Sequence, residues 1–210
     1  MPSRPKRTRA RVAATTRTVP RVFIIESLGL ADEKADRFEG GLLSKMLQLS
    51  GSHPEYMYLR TRREFETALA LFEASRFRYL HISCHGRNNG IDLTLDSLRF
   101  GELGKLLTPV LNRKRLFFSS CSVMNEKCAA ALLSDSGCLS LLGPSKSIYF
   151  DRAAIFWSAF YHLMLRDEAR SMKRNHLQRA TSMLQHLFGV HMRYFTASAS
   201  AKSGFRQVTL

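Results

Sequence analysis

Runs of apolar residues alternate with helical patterns from Arg21 onward. RVFIIE (Arg21 to Glu26) is short, β-branched and aromatic, which predicts a buried strand. Phe38, Leu42, Leu43, Met46 and Leu47 then recur at helical spacing, predicting one helix over 34–49 that the Gly40–Gly41 pair weakens in its middle. A second strand is expected at Tyr56 to Arg60. Thr61, with Glu64 three residues on, reads as the capping box of a helix running to Ser75. YLHIS (79–83) predicts a third strand that runs straight into Cys84, His85 and Gly86. The alternation from Ile91 to Phe100 predicts a small hairpin outside the main sheet, and a short helix from Gly101 ends before Pro109. LFFSS (116–120) predicts a fourth strand that delivers Cys121. A helix over 125–134, a fifth strand at 138–142, helices over 151–165 and 173–188, and a last strand at 190–196 complete the reading. Strands and helices in this rhythm predict a three-layer α/β/α sandwich around a mostly parallel sheet, in one domain over 22–210.

Charge changes the picture at the N-terminus. The chain of 210 residues carries +15 overall, and residues 1–21 contribute seven arginines and lysines with no acid. That composition predicts a disordered basic tail, and nucleic acid or an acidic protein is the partner it would suit; it also bears a minor likeness to a mitochondrial transit peptide. The first twenty residues hold no apolar secretory core, and the apolar stretch 153–165 is shorter than the roughly 18 residues a membrane span needs. The expectation is a cytoplasmic protein without membrane association. In that compartment the four cysteines, Cys84, Cys121, Cys128 and Cys138, are expected as free thiols, and none shows the Cys-x-x-Cys spacing of a metal or redox site. Neither a metal nor another cofactor is expected.

In a parallel sheet, sites form beyond the carboxyl ends of the strands. Two predicted strands end there in reactive residues, one in His85 and the other in Cys121. A thiol beside an imidazole is the minimum equipment for covalent acyl transfer, because the imidazole removes the thiol proton and the thiolate attacks a carbonyl. Gly86 lets the backbone approach a substrate and offer an N–H to a developing oxyanion. Cys84 points to the opposite face and reads as core. His81 lies four residues before His85, about 13 Å away at strand rise, so it reads as a hydrogen-bonded core residue and the two cannot share a zinc ion. Arg87, Lys105, Arg113, Lys114 and Arg115 are expected at a solvated rim.

The ordered set YLHISCHG (79–86), LRFGELGKLL (98–107), RLFFSSCS (115–122) and GPSKSIYFDRAAIFWSAFYHLML (143–165) resembles the caspase-like cysteine peptidases. Within them it resembles the CHAT domains, which are similar to the separases. The resemblance implies a caspase-hemoglobinase fold and a thiol endopeptidase with His85 as catalytic histidine and Cys121 as nucleophile. The N–H groups of Gly86 and Cys121 would form the oxyanion hole, and a Cys–His dyad would need no third carboxylate. It also implies that Asp151 contributes to the pocket for the side chain before the cut bond, where an acid favours a basic residue; the residues themselves equally allow Asp151 to cap the helix beginning next to it. A protein substrate, a regulatory or sensor partner, and a role in signalling or antiviral defence are further implications. The alternatives are a catalytically silent module of the same fold and a basic nucleic-acid-binding protein.

Overall fold

The computed structural model describes residues 18–165 and 172–210, so most of the expected basic tail lies outside the described residues. Strands β1 (Val19–Ser27), β2 (Glu55–Tyr58), β3 (Phe77–Arg87), β6 (Arg115–Ser119) and β7 (Ser140–Pro144) pair in parallel in the order β2-β1-β3-β6-β7. β8 (Met192–Ala197) and β9 (Phe205–Val208) continue that sheet antiparallel. The last stretch of β3 leaves the sheet and pairs with the hairpin of β4 (Gly90–Asp92) and β5 (Ser97–Arg99).

Alternation along each central strand loads both faces. Phe23, Ile25, Leu80, Ile82, Leu116 and Phe118 face α3 (Arg62–Ser75), α4 (Phe100–Leu107) and α5 (Glu126–Leu133). Val22, Ile24, Tyr79 and Phe117 face α2 (Glu39–Leu49), α6 (Phe150–Leu165) and α7 (Arg174–Phe188). The result is the expected three-layer sandwich, with the aromatics Phe156, Trp157, Phe160 and Tyr161 of α6 buried against the second face. Among the described residues no helix is long and apolar enough to cross a membrane, and no group of three or more His, Cys, Asp or Glu side chains is placed to hold a metal.

Several elements depart from the sequence reading. The helix expected over 34–49 is two helices, α1 (Leu30–Lys34) and α2, separated at Asp36, which takes a left-handed φ of 55°. Gly40 and Gly41 do not weaken the middle of a helix; they open α2, and their N–H groups donate to the buried Glu26 carboxylate at 2.6 and 3.0 Å. A Cβ on Gly40 would come within 3.0 Å of the Glu26 carboxyl carbon. Lys114 is not at a solvated rim: it is 6% exposed with Nζ 3.9 Å from the centre of the Phe72 ring, and burial lowers its pKa to about 8. The strand β9 has no counterpart in the sequence reading.

Candidate active site

β3 and β6 are neighbours in the sheet and their carboxyl ends lie side by side. His85 stands where β3 leaves the sheet for the hairpin, pairing with Asp92 of β4. Cys121 follows β6 in a sharp turn, and Ser122 after it takes a left-handed φ of 59°, a conformation that costs a non-glycine residue of order 1 kcal/mol and is held by its surroundings. Ser122 N–H donates to the Lys146 carbonyl at 3.2 Å and Met124 N–H to the Pro144 carbonyl at 3.0 Å, tying this turn to the loop after β7.

Gly86 is the contact point between the two strand ends. A Cβ there would fall 2.5 Å from the Cys121 carbonyl oxygen, 2.5 Å from Val123 Cγ2 and 2.9 Å from Ser120 Cβ. Only glycine permits this approach, which sets the histidine of one strand against the cysteine turn of the other. The Cys121 sulfur is part-buried and held by one residue: it accepts from Ile148 N–H at 3.3 Å and donates to the Ile148 carbonyl at 3.5 Å. Two residues on, the Phe150 ring meets the His85 imidazole edge-on at 5.9 Å. Thiol and imidazole thus converge on the same segment, 148–150, and the hydrogen bonds of the sulfur go to Ile148 rather than to His85.

The residue that sequence reasoning missed is Asp32. Its Oδ2 lies 2.7 Å from His85 Nε2, and its Oδ1 accepts from Arg37 Nη1 at 2.8 Å. Burial pushes this carboxyl up, but the hydrogen bonds and charges of His85 and Arg37 outweigh burial and hold it below the ordinary carboxylate range. Arg37 also lies over the Phe150 ring, 5.8 Å from its centre. The one signal in the sequence is position: α1 follows β1 directly, at the same edge of the sheet as His85. A carboxylate facing Nε2 accepts the hydrogen there, which leaves the lone pair of a neutral imidazole on Nδ1.

The remaining candidates sort by burial. Cys84 is packed in the core, 3.3 Å from Ser120 Oγ, and burial pushes its thiol up to about 12, so it carries no thiolate near neutrality. Cys128 and Cys138 are fully buried and also raised by burial. His81 is buried against Trp157 and Tyr161, with Nδ1 3.2 Å from the Tyr161 hydroxyl, and burial lowers its pKa to about 3. Asp151 is exposed and is the second residue of α6, inside its first turn. It lines an open depression of about 570 Å³ with Arg37, Phe38, Glu39, Tyr56 and Phe150.

No protein-family model and no curated protein matches the chain. Solved structures do. A secreted C11 cysteine protease from Bacteroides thetaiotaomicron, in complex with an irreversible peptide inhibitor, superposes with a TM-score of 0.54 at 7% identity, covering 85% of this chain and 66% of that one. Caspase-1 from Spodoptera frugiperda superposes with a TM-score of 0.52 at 14% identity, covering 99% of this chain and 92% of that one. The fold is therefore caspase-like.

Proposed function

We propose that this protein is a caspase-like cysteine endopeptidase of the CHAT and separase branch, acting on a protein substrate through Cys121 and His85. The observation that carries the reading is the convergence of the Cys121 thiol and the His85 ring on residues 148–150, at the carboxyl ends of adjacent parallel strands. His85 Nδ1 takes the thiol proton as the S–H turns away from the Ile148 carbonyl. The thiolate then attacks the scissile carbonyl, and the oxyanion is received by the N–H groups of Gly86 and Cys121. The charge that develops on the imidazole is balanced by Asp32, which extends the dyad to a triad without itself touching substrate. The imidazolium returns its proton to the leaving amine, and water releases the thioester.

A thiol-directed peptidyl inhibitor is expected to label Cys121 and not Cys84. Cys121→Ala and His85→Ala are expected to abolish cleavage of a peptide library while circular dichroism shows an intact fold. Undiminished cleavage by Cys121→Ala would overturn the mechanism. The silent-module reading draws support from one observation, that the resting thiol bonds to Ile148 rather than His85; it predicts no labelling of Cys121 by any peptidyl inhibitor.

A further inference from the structure

The carboxylate that faces His85 stands on a helix that apolar packing does not hold. α1 is five residues long and none of its side chains is buried, although Leu28 before it and Glu39 after it are. A helix this short has no stability of its own, so its seating depends on the polar ties of its side chains. Asp32 and Glu33 are successive residues, about 100° apart around the helix, and they leave it in different directions. Asp32 reaches His85 and Arg37, while Glu33 reaches back to the end of β2.

Three residues converge on the Glu33 carboxylate. Arg60 makes a two-point pair with it, Nε to Oε1 at 3.0 Å and Nη2 to Oε2 at 2.7 Å. The Tyr58 hydroxyl donates to Oε1, and the Thr94 hydroxyl donates to the same oxygen at 3.4 Å. The Tyr58 hydroxyl and the Arg60 guanidinium hold this carboxyl below the ordinary carboxylate range, so it stays charged. Each partner is itself fixed. The Tyr58 oxygen accepts from Leu28 N–H at 3.4 Å, and its ring meets Phe38 edge-on at 5.2 Å. Thr94 N–H donates to Ser27 Oγ at 3.0 Å, and the Arg60 carbonyl accepts from Leu95 N–H at 2.9 Å. Glu33 thus ties α1 at once to the end of β2 and to the loop of the β4–β5 hairpin. A two-point Arg–carboxylate pair fixes orientation as well as distance, which a single contact does not.

Resting on the peptidase reading with Asp32 behind His85, we infer that Glu33 is a positioning residue for the reaction: held by Arg60, Tyr58 and Thr94, it fixes the rotation of α1 that keeps Asp32 against His85 Nε2. Glu33 acts through Asp32 and not on the imidazole itself. Without it α1 turns or lifts, and Asp32 spends part of its time away from the ring.

The test uses the full chain labelled with ¹⁵N-histidine. The hydrogen between His85 Nε2 and Asp32 is read by NMR at low temperature and assigned by its loss in His85→Gln. The signal is expected in the parent, lost in Asp32→Ala and weakened in Glu33→Ala, with Glu33→Gln between because it still accepts from Tyr58 and Thr94. Arg60→Gln, which leaves α1 itself unaltered, is expected to reproduce the weakening; circular dichroism checks that each variant is folded. Cleavage of a peptide library is followed in parallel. Glu33→Ala is expected to lower kcat/KM about threefold to tenfold, the scale of an exposed ion pair with two further hydrogen bonds, and to add nothing in the Asp32→Ala background. A signal unchanged in both Glu33→Ala and Arg60→Gln, or an equal further loss of cleavage in the Asp32→Ala background, would overturn the positioning role. So would absence of the signal from the parent, or cleavage by Asp32→Ala equal to the parent's, which removes Asp32 from the mechanism and Glu33 with it. A signal that weakens as expected in a protein that cleaves nothing removes the peptidase reading and leaves Glu33 as the residue that seats Asp32.

Discussion

Replacing Glu39 by Gln is expected to stabilise the protein in mild alkali and to do almost nothing in acid. Glu39 and Glu26 are both buried near the carboxyl ends of β1 and β3, and burial raises both pKa values. Glu26 has three donors that favour its ionised form, the N–H groups of Gly40 and Gly41 and the Tyr56 hydroxyl. Glu39 has the Ser83 hydroxyl at 2.7 Å and a weaker contribution from the nearby Ser119 hydroxyl, which falls short of hydrogen-bond geometry and leaves Oε1 buried without a close partner. The proton therefore resides on Glu39, whose pKa burial raises from 4.5 to about 7. The unfolded chain releases that proton near pH 4.5, while the folded chain keeps it to about pH 7. Stability is therefore full below the lower value, falls as pH rises between them, and is level above. At about 1.4 kcal/mol per pH unit the loss is about 3 kcal/mol. Gln is neutral throughout, so the variant escapes the loss, and a melting temperature higher by about 6–12 °C is expected near pH 8.5. Urea unfolding of both proteins across about pH 4–9 checks this. Parallel stability curves, or a variant less stable than the parent in alkali, would refute the reasoning.

Three further outcomes test the site. Gly86→Ala is expected to cost at least about 1–3 kcal/mol in urea unfolding and to slow inhibitor labelling of Cys121, because the new methyl meets backbone at 2.5 Å; Gly101→Ala, with nothing within 4 Å, is expected to be silent. Asp32→Asn is expected to lower kcat/KM by about 10²–10⁴-fold and more than Asp32→Ala, since an Asn N–H pointed at Nε2 moves the ring hydrogen to Nδ1; equal rates for Asp32→Asn and the parent would remove Asp32 from the mechanism. If Asp151 receives a basic side chain, Asp151→Asn raises the barrier for basic substrates by about 2–4 kcal/mol and leaves others unchanged, which peptide profiling reads directly.

The placement of His85 and Cys121 at neighbouring strand ends was legible because YLHIS and LFFSS are buried on both faces and announce themselves as central strands. The Thr61–Glu64 capping box was legible because it is a local motif, and it is present in full. Asp32 was hidden among Asp32, Glu33 and Asp36, a run that reads as a solvated helix surface; its pairing with His85 is made across 53 positions of sequence. Gly40 and Gly41 misled for a similar reason, since the Glu26 carboxylate that explains them comes from another element. Lys114 was misplaced because its partner, the Phe72 ring, is distant in sequence. The direction of β8 could not be read from periodicity, which is the same for parallel and antiparallel strands.

The hold that Ile148 keeps on the Cys121 sulfur also orders events in time. During synthesis the residue that clamps the thiol emerges 27 positions after the cysteine itself, an interval of about one to five seconds at ordinary elongation rates. Over that interval the nascent chain already possesses the strands that present His85 and Cys121, and Asp32 beside them, but not the loop that fixes the sulfur. Under the peptidase reading, the sulfur gains its fixed position only once β7 and the start of α6 have been made, so chain order places the completion of the site after both of its reactive residues.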